Sequence, residues 1–194
     1  MSDHPSPKSK LYCYVDETGQ DTMGEFFIVS VIVTGSGRDS LIEKLEAIER
    51  RSGKGKVKWT KVRGHQRLAY IGAVLTAPAF KGTLYFPRYR ETKSYMALTV
   101  LATAKATLTA SPSQPATVYV EGLPKSRLRW FGSELRRLSV RTSGVVGVRR
   151  EETDALIRLA DACCGFVRAA TSGLQPEMAG LFEQGKAAGY VTEV

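Results

Sequence analysis

Leu11-Tyr-Cys-Tyr-Val-Asp-Glu-Thr-Gly19 reads as a first β-strand that stops on two carboxylates and a glycine. Leu11 to Val15 are apolar or aromatic, the composition of a strand held inside a sheet. Asp16 is a poor strand former, so sheet packing does not account for it. Asp and Gly often close a hairpin turn. An acid at the C-terminal end of a central strand also sits where α/β folds gather their chemistry. The rest of the chain has to choose between these readings.

Working outward, Glu25 to Thr34 is a second strand, close enough to the first to pair with it as an antiparallel hairpin. A helix is expected from Ser40 to Arg51, with Ser40 and Glu43 as a capping box and Leu41, Leu45 and Ile48 as its apolar stripe. The loop Ser52 to Lys61 is basic and carries Trp59, and a second helix over Gly64 to Thr76 follows it. Thr83 to Arg88 is a third strand with Pro87 near its end, where a strand tolerates proline.

Helical spacing then runs from Ser94 to Ala110, and Ser111-Pro-Ser-Gln-Pro115 stops it. Thr117 to Glu121 is a fourth strand and Val145 to Val148 a fifth, with a helix over Lys125 to Leu138 between them. The last long helix spans Glu152 to Ala170, and a weaker helical pattern surrounds Met178 to Phe182.

With the two helices after strand two set aside, the order is β-β-β-α-β-α-β-α. Three antiparallel strands followed by alternating helices and strands make a mixed five-stranded sheet with helices on both faces. This is the ribonuclease H-like arrangement, here with a helical insertion between strands two and three. At 194 residues the chain is long enough for one sizeable core. Residues 1–10 read as a disordered tail and 11–194 as a single domain.

No apolar run is long enough for a membrane span and the start lacks a signal sequence, which points to the cytoplasm. Cys13, Cys163 and Cys164 lack zinc-site spacing and read as small buried hydrophobes. His4 and His65 are too isolated for a zinc site or a serine triad, and no Walker-type phosphate loop is present. A net charge of +9 calls for an anionic partner, nucleic acid first and acidic membrane second.

In this arrangement strands one and four are parallel neighbours, so Asp16 and Glu121 come side by side. Two such carboxylates can hold a divalent cation, and like charges at that spacing need one. Asp161 lies in the otherwise apolar Leu159-Ala-Asp-Ala-Cys-Cys-Gly-Phe-Val167, where an acid must be paired or bound to metal, or cost heavily. Arg158, Arg168 and Lys58 are its alternative ion-pair partners. Asp154 lies two turns earlier on the same face, either as a further ligand or as a first-turn acid favoured by the helix dipole. Glu17 points away from Asp16 in a regular strand and joins the site only if the strand ends at Val15.

Lys58, with Trp59 beside it, could neutralise phosphate or orient an attacking group, or the two could simply form a solvated loop with an anchoring tryptophan. Between Lys125 and Arg150 a dense run of arginines faces one acid, Glu134. Such a run is usually a solvated face but also suits phosphate. The nucleic-acid set is therefore Lys58, Trp59, Lys61, Arg127, Arg129, Arg136 and Arg137.

Tyr14-Val-Asp-Glu-Thr-Gly19 resembles the Tyr-Val-Asp-Glu-Ser-Gly opening of the bacterial domain-of-unknown-function 3800 family. Val57-Lys-Trp-Thr-Lys61 is similar to its Glu-Ile-Lys-Trp/Phe-Ser motif, and Leu159-Ala-Asp-Ala-Cys-Cys-Gly165 to its Leu-Ala-Asp-x-x-x-Gly helix. The likeness spans residues 11 to 173. It implies a ribonuclease H-like, metal-dependent nuclease, in some members linked to phage defence or mobile elements. Asp16 and Asp161 would then bind metal and Lys58 would be a site residue.

Glu121 stands where the family usually has Asp, one methylene longer. The helix over 94–110 has no acid, and Glu91 just before it is the nearest substitute.

The resulting expectation is Mg²⁺- or Mn²⁺-dependent phosphodiester hydrolysis of DNA or RNA. Asp16, Glu121, Asp161 and Lys58 are its catalytic set, with the three acids, and secondarily Glu17 and Asp154, as metal ligands. The rivals are a ribonuclease H-like nucleic-acid binder with weak or no catalysis, and an oligomerising partner-binding module of a toxin or defence system. Self-association stays open.

Overall fold

The computed structural model describes residues 10–149 and 154–194. Residues 1–9 of the expected N-terminal tail, Arg150 and the expected start of the last helix lie outside the described residues.

β1 (Leu11–Thr18) and β2 (Phe27–Thr34) form the antiparallel pair at the middle of the sheet. β2 is buried along its whole length, which its run of Val, Ile and Phe makes possible. Two helices follow, α1 (Arg38–Arg51) and α2 (Gly64–Thr76). After β3 (Leu84–Phe86) and β4 (Arg88–Tyr89) come α3 (Tyr95–Ala110), β5 (Ala116–Glu121), α4 (Lys125–Arg137), β6 (Thr142–Val148) and α5 (Ala155–Thr171). α6 (Pro176–Ala187) and β7 (Val191–Glu193) complete the order.

The sheet runs β6-β5-β1-β2-β3-β7, with β4 also on β2. β1, β5 and β6 are mutually parallel, and β2 is antiparallel to β1, β3 and β4.

Strand alternation divides the core into two layers. Tyr14, Ile28 and Ile32 point to the side covered by α1, α2, α5 and α6. Cys13, Val15, Phe27, Val29 and Val31 point to the side covered by α3 and α4. Helices thus cover both faces, and the insertion between β2 and β3 is helical, as the element order predicts.

Among the described residues seven strands take the place of the expected five. Pro87 has no amide hydrogen to give the ladder and splits the third strand into β3 and β4. β7 pairs parallel with β3, in a run too short to register as a strand from its composition. α1 begins two residues before Ser40, so the Ser40–Glu43 box does not form and Gly37 occupies the cap without a side-chain bond. α5 begins at Ala155, capped by Asp154. All three cysteines are free and buried.

Candidate functional site

β1 continues through Asp16 and Glu17 to Thr18, so its two acids face opposite layers. Asp16 follows Tyr14 toward α5, and Glu17 follows Val15 toward α3. β5 runs parallel to β1 in a register that pairs Val15 with Val120, and Asp16 and Glu121 are the next residues of the two strands. Asp161 comes to the same end of the sheet from α5.

A short turn, Trp59–Lys61, spans two of these acids. Lys58 Nζ donates to Glu121 Oε1 at 2.9 Å, and the Trp59 backbone N–H donates to Asp161 Oδ2 at 2.8 Å.

The charges act on one another. Desolvation holds the Asp16 carboxyl well above its ordinary range, and the negative charges of Glu121 and Asp161 push it the same way. The Glu17 amide opposes this only in part. Desolvation also raises Asp161, against the Trp59 amide and the Lys58 charge. Glu17 is raised by desolvation, while hydrogen bonds from Thr99 Oγ1 (2.8 Å) and Gln20 Nε2 (2.7 Å) lower it. Asp16 therefore lies in the field of two other acids. Lys58 is the ammonium that bonds directly to this group among the described residues.

The structure removes Asp154 from the cluster. Its Oδ1 accepts the N–H groups of Leu156 (2.9 Å) and Ile157 (3.0 Å), and its Oδ2 lies 3.4 Å from Arg38. Seven residues of helix put it roughly 10 Å along the axis from Asp161. The unpaired amides at the start of α5 take its carboxylate as a cap. The ion pairs expected for Asp161 are likewise not made, since Arg158 pairs with Glu49 and Lys58 with Glu121. Among the described residues no three His, Cys, Asp or Glu side chains stand together so as to hold a metal ion. The three-acid centre is not preformed, and Glu121 and Asp161 each have an oxygen engaged by the 58–59 backbone and side chain.

Trp59 is a buried anchor, 4% exposed, and does not offer its ring for base stacking. The ring lies against Gly165, where a Cβ would overlap its Cδ1 and Nε1 atoms. Gly165 thus admits an indole to the α5 surface. Arg67 stacks over the ring, 5.1 Å from its centre, and donates to the carbonyls of Trp59 and Thr60, both at 3.1 Å. Lys61 is exposed at the end of the turn.

Beneath this loop lies an ionic triad that no motif announced. Glu49, Lys54 and Arg158 are all buried. Glu49 Oε1 accepts from Lys54 Nζ (3.1 Å) and Arg158 Nε (2.8 Å), and Glu49 Oε2 from Arg158 Nη2 (2.7 Å). Lys54 Nζ also reaches the carbonyls of Gly55 and Val57, both at 3.3 Å. The triad joins α1, the 52–58 loop and α5 one turn before Asp161. Glu49 had a signal, because it falls at the i+4 position from Leu45 on the apolar stripe of α1. Lys54 had none.

A cleft of about 360 Å³ opens beside Asp161, lined by Glu17, Trp59, Arg67, Cys164 and Arg168 among others. Arg67 and Arg168 line this opening, Arg67 with no signal in the sequence and Arg168 as an expected partner of Asp161 that pairs instead with Asp21. On the other side of Glu17 a cavity of about 600 Å³ is lined by Lys93, Arg127 and Trp130. Arg127 therefore faces the acid end of the sheet. Arg136 and Arg137 lie at the far end of α4, bonded to Thr142 and Glu134, and Arg129 shares a separate depression with Arg136. The expected arginine surface divides, and only its start approaches the carboxylates.

Two solved structures share this architecture. Ribonuclease H2 from Pyrococcus horikoshii OT3 superposes with a TM-score of 0.54 at 16% identity, covering 89% of this chain and 76% of that one. Ribonuclease HII of Archaeoglobus fulgidus, seen in complex with PCNA, also gives a TM-score of 0.54, at 14% identity, covering 93% and 90%.

The fold is ribonuclease H-like.

No protein-family model and no curated protein matches the sequence. At these identities the likeness speaks for the fold alone. Among the described residues no helix is long and apolar enough to cross a membrane.

Proposed function

We propose that this chain is a divalent-cation-dependent nuclease that hydrolyses phosphodiester bonds in DNA or RNA. One observation carries the reading: Asp16 is desolvated within reach of the charges of Glu121 and Asp161, on adjacent parallel strands and a crossing helix. The fold it shares with two ribonucleases HII supports the same reading.

The residues fit a cation in charge and donor type. Carboxylate oxygens are the ligands that Mg²⁺ and Mn²⁺ favour. Like-charged acids at a desolvated site are costly unless a cation joins them. Asp16, Glu121 and Asp161 would hold it, with Glu17 behind them on the α3 side. When bound, such an ion supplies an activated water and offsets charge on a scissile phosphate.

The chain's own residues supply the rest. The Trp59 amide fixes one Asp161 oxygen, leaving the other directed by the same rotamer. Arg67 and Arg168 border the cleft as phosphate contacts, and Arg127 extends the basic rim beyond Glu17. Lys58 brings a mobile ammonium that can neutralise phosphate once it leaves Glu121.

The test is cleavage of single- and double-stranded DNA, RNA and hybrid substrates, with Mn²⁺, with Mg²⁺ and with chelator. Cation-dependent cleavage lost in Asp16→Asn supports the proposal. No cleavage of any substrate with either ion defeats it.

A second reading has its own observation, namely that the acids are not preformed as a three-ligand centre. A nucleic-acid binder with little catalysis would show salt-sensitive binding without cleavage in the same experiment.

A further inference from the structure

We propose that Lys58 is a tethered counter-cation for the acid cluster, so that its ion pair with Glu121 and the binding of a divalent cation exclude one another. This rests on the reading above that the acids take a cation. It adds that the protein carries a built-in competitor for that cation.

The argument starts from an asymmetry in the pair. The Glu121 side chain is 5% exposed, whereas that of Lys58 is 42% exposed. A structural ion pair of the interior encloses both partners, as Glu49, Lys54 and Arg158 do a few residues away. Here the buried partner is fixed and the cationic partner remains half in water. An ammonium so placed keeps much of its hydration and can leave at little cost. Glu121, left alone, would be a desolvated carboxylate beside two others, the arrangement that most needs another cation.

The backbone on either side makes the side chain the part that moves. Lys58 precedes the Trp59–Lys61 turn in extended conformation, and that turn is pinned. The Trp59 amide is bonded to Asp161, its ring sits on Gly165, and Arg67 holds the carbonyls of Trp59 and Thr60. Val57 is held through its carbonyl by buried Lys54. Among the described residues the Lys58 ammonium has its hydrogen bond to Glu121 and no other that is resolved. Swinging it out breaks one contact and disturbs no backbone.

The pair also engages one Glu121 oxygen that an incoming cation would need. Exchange would do two things together. It would free Glu121 for the incoming ion and release an ammonium beside the cleft for a phosphate. Lys58 is then a positioning residue, acting through Glu121.

A latch that merely ties the loop to β5 would behave in the opposite way. Breaking a latch loosens the site and weakens cation binding, whereas removing a competitor strengthens it. Isothermal titration of Mn²⁺ into wild type, Lys58→Met, Glu121→Gln and the double variant separates the two, with circular dichroism as the check on folding. Lys58→Gln is the second variant should methionine on this half-exposed surface aggregate.

The expected result is that Lys58→Met or Lys58→Gln binds Mn²⁺ at least about tenfold more tightly than wild type, since one unit charge close to the ion is removed. The gain should vanish in the Glu121→Gln background. Detectable binding only in the Lys58 variants supports the proposal in its strongest form. Equal or weaker binding in folded Lys58 variants overturns the competitor role while leaving the cation reading intact. No Mn²⁺ binding by wild type or either Lys58 variant overturns both.

Discussion

Gly165→Ala tests the packing that holds the site together. The added methyl would fall inside the contact envelope of the Trp59 ring. Trp59 is buried and its own amide holds Asp161. To reach ordinary contact distance, the ring must retreat by roughly an ångström or more. Helix propensity alone favours the change, since alanine is better than glycine inside a helix by about 1 kcal/mol. Overpacking a core contact costs about 1–3 kcal/mol.

The difference lies between neutral and about 2 kcal/mol destabilising. At about 2–4 °C per kcal/mol for a chain of this size, the melting temperature falls by up to roughly 8 °C. A Trp130→Phe background leaves Trp59 as the single indole, because the chain has two tryptophans. Its emission should shift toward the red as the ring loses burial, and cation-dependent cleavage should fall with it. A melting temperature that rises by a few degrees, with unchanged Trp59 emission, would refute the reasoning. In that case the ring does not depend on the missing Cβ.

Other substitutions probe the charges. Glu49→Ala leaves two buried cations without their shared acid, which costs about 3–5 kcal/mol. The melting temperature should drop by roughly 6–20 °C, and a drop of under a degree would show that the triad contributes nothing. Asp154→Ala should cost about 1 kcal/mol in urea denaturation as a lost cap and leave Mn²⁺ affinity unchanged. Loss of Mn²⁺ binding would put Asp154 back among the ligands.

Asp16 carries a pH prediction. Its folded-state pKa lies well above the ordinary 3.8. The folded state therefore binds more protons than the unfolded state between those values, and the slope of stability with pH is negative there. The contribution of Asp16 is fully present below about pH 3.8 and is lost as pH rises through the raised folded-state value. Asp16→Asn should accordingly melt higher than wild type at pH 7 in chelator, with the gap closing toward pH 4. A wild type more stable than the variant at pH 7 in chelator would show that Asp16 gains a partner other than these acids.

Much of the framework was legible in the chain because it is written in local patterns. The run from Leu11 to Val15, the apolar stretch to Thr34 and the spacing of the long helices follow from side-chain period and propensity. Parallel pairing of the first and fourth expected strands follows from their order, which brings Asp16 beside Glu121. An acid inside the apolar run around Asp161 was visible for the same reason, as a break in pattern. What depends on distant partners was not legible. Whether Lys58 meets phosphate, Asp161 or Glu121 depends on how a loop folds back across the sheet, and no local rule states it. Trp59 looked like a surface aromatic among lysines until Gly165 supplied its seat. Asp154 has the same spacing whether it caps or ligates, and only the start of α5 decides. The buried triad joins Arg158 to Glu49, 109 residues earlier, and to Lys54 beside it, and charges so joined look like surface charges until the packing encloses them. The chain by itself determined which acids could meet, and tertiary packing decided which of them are free to act.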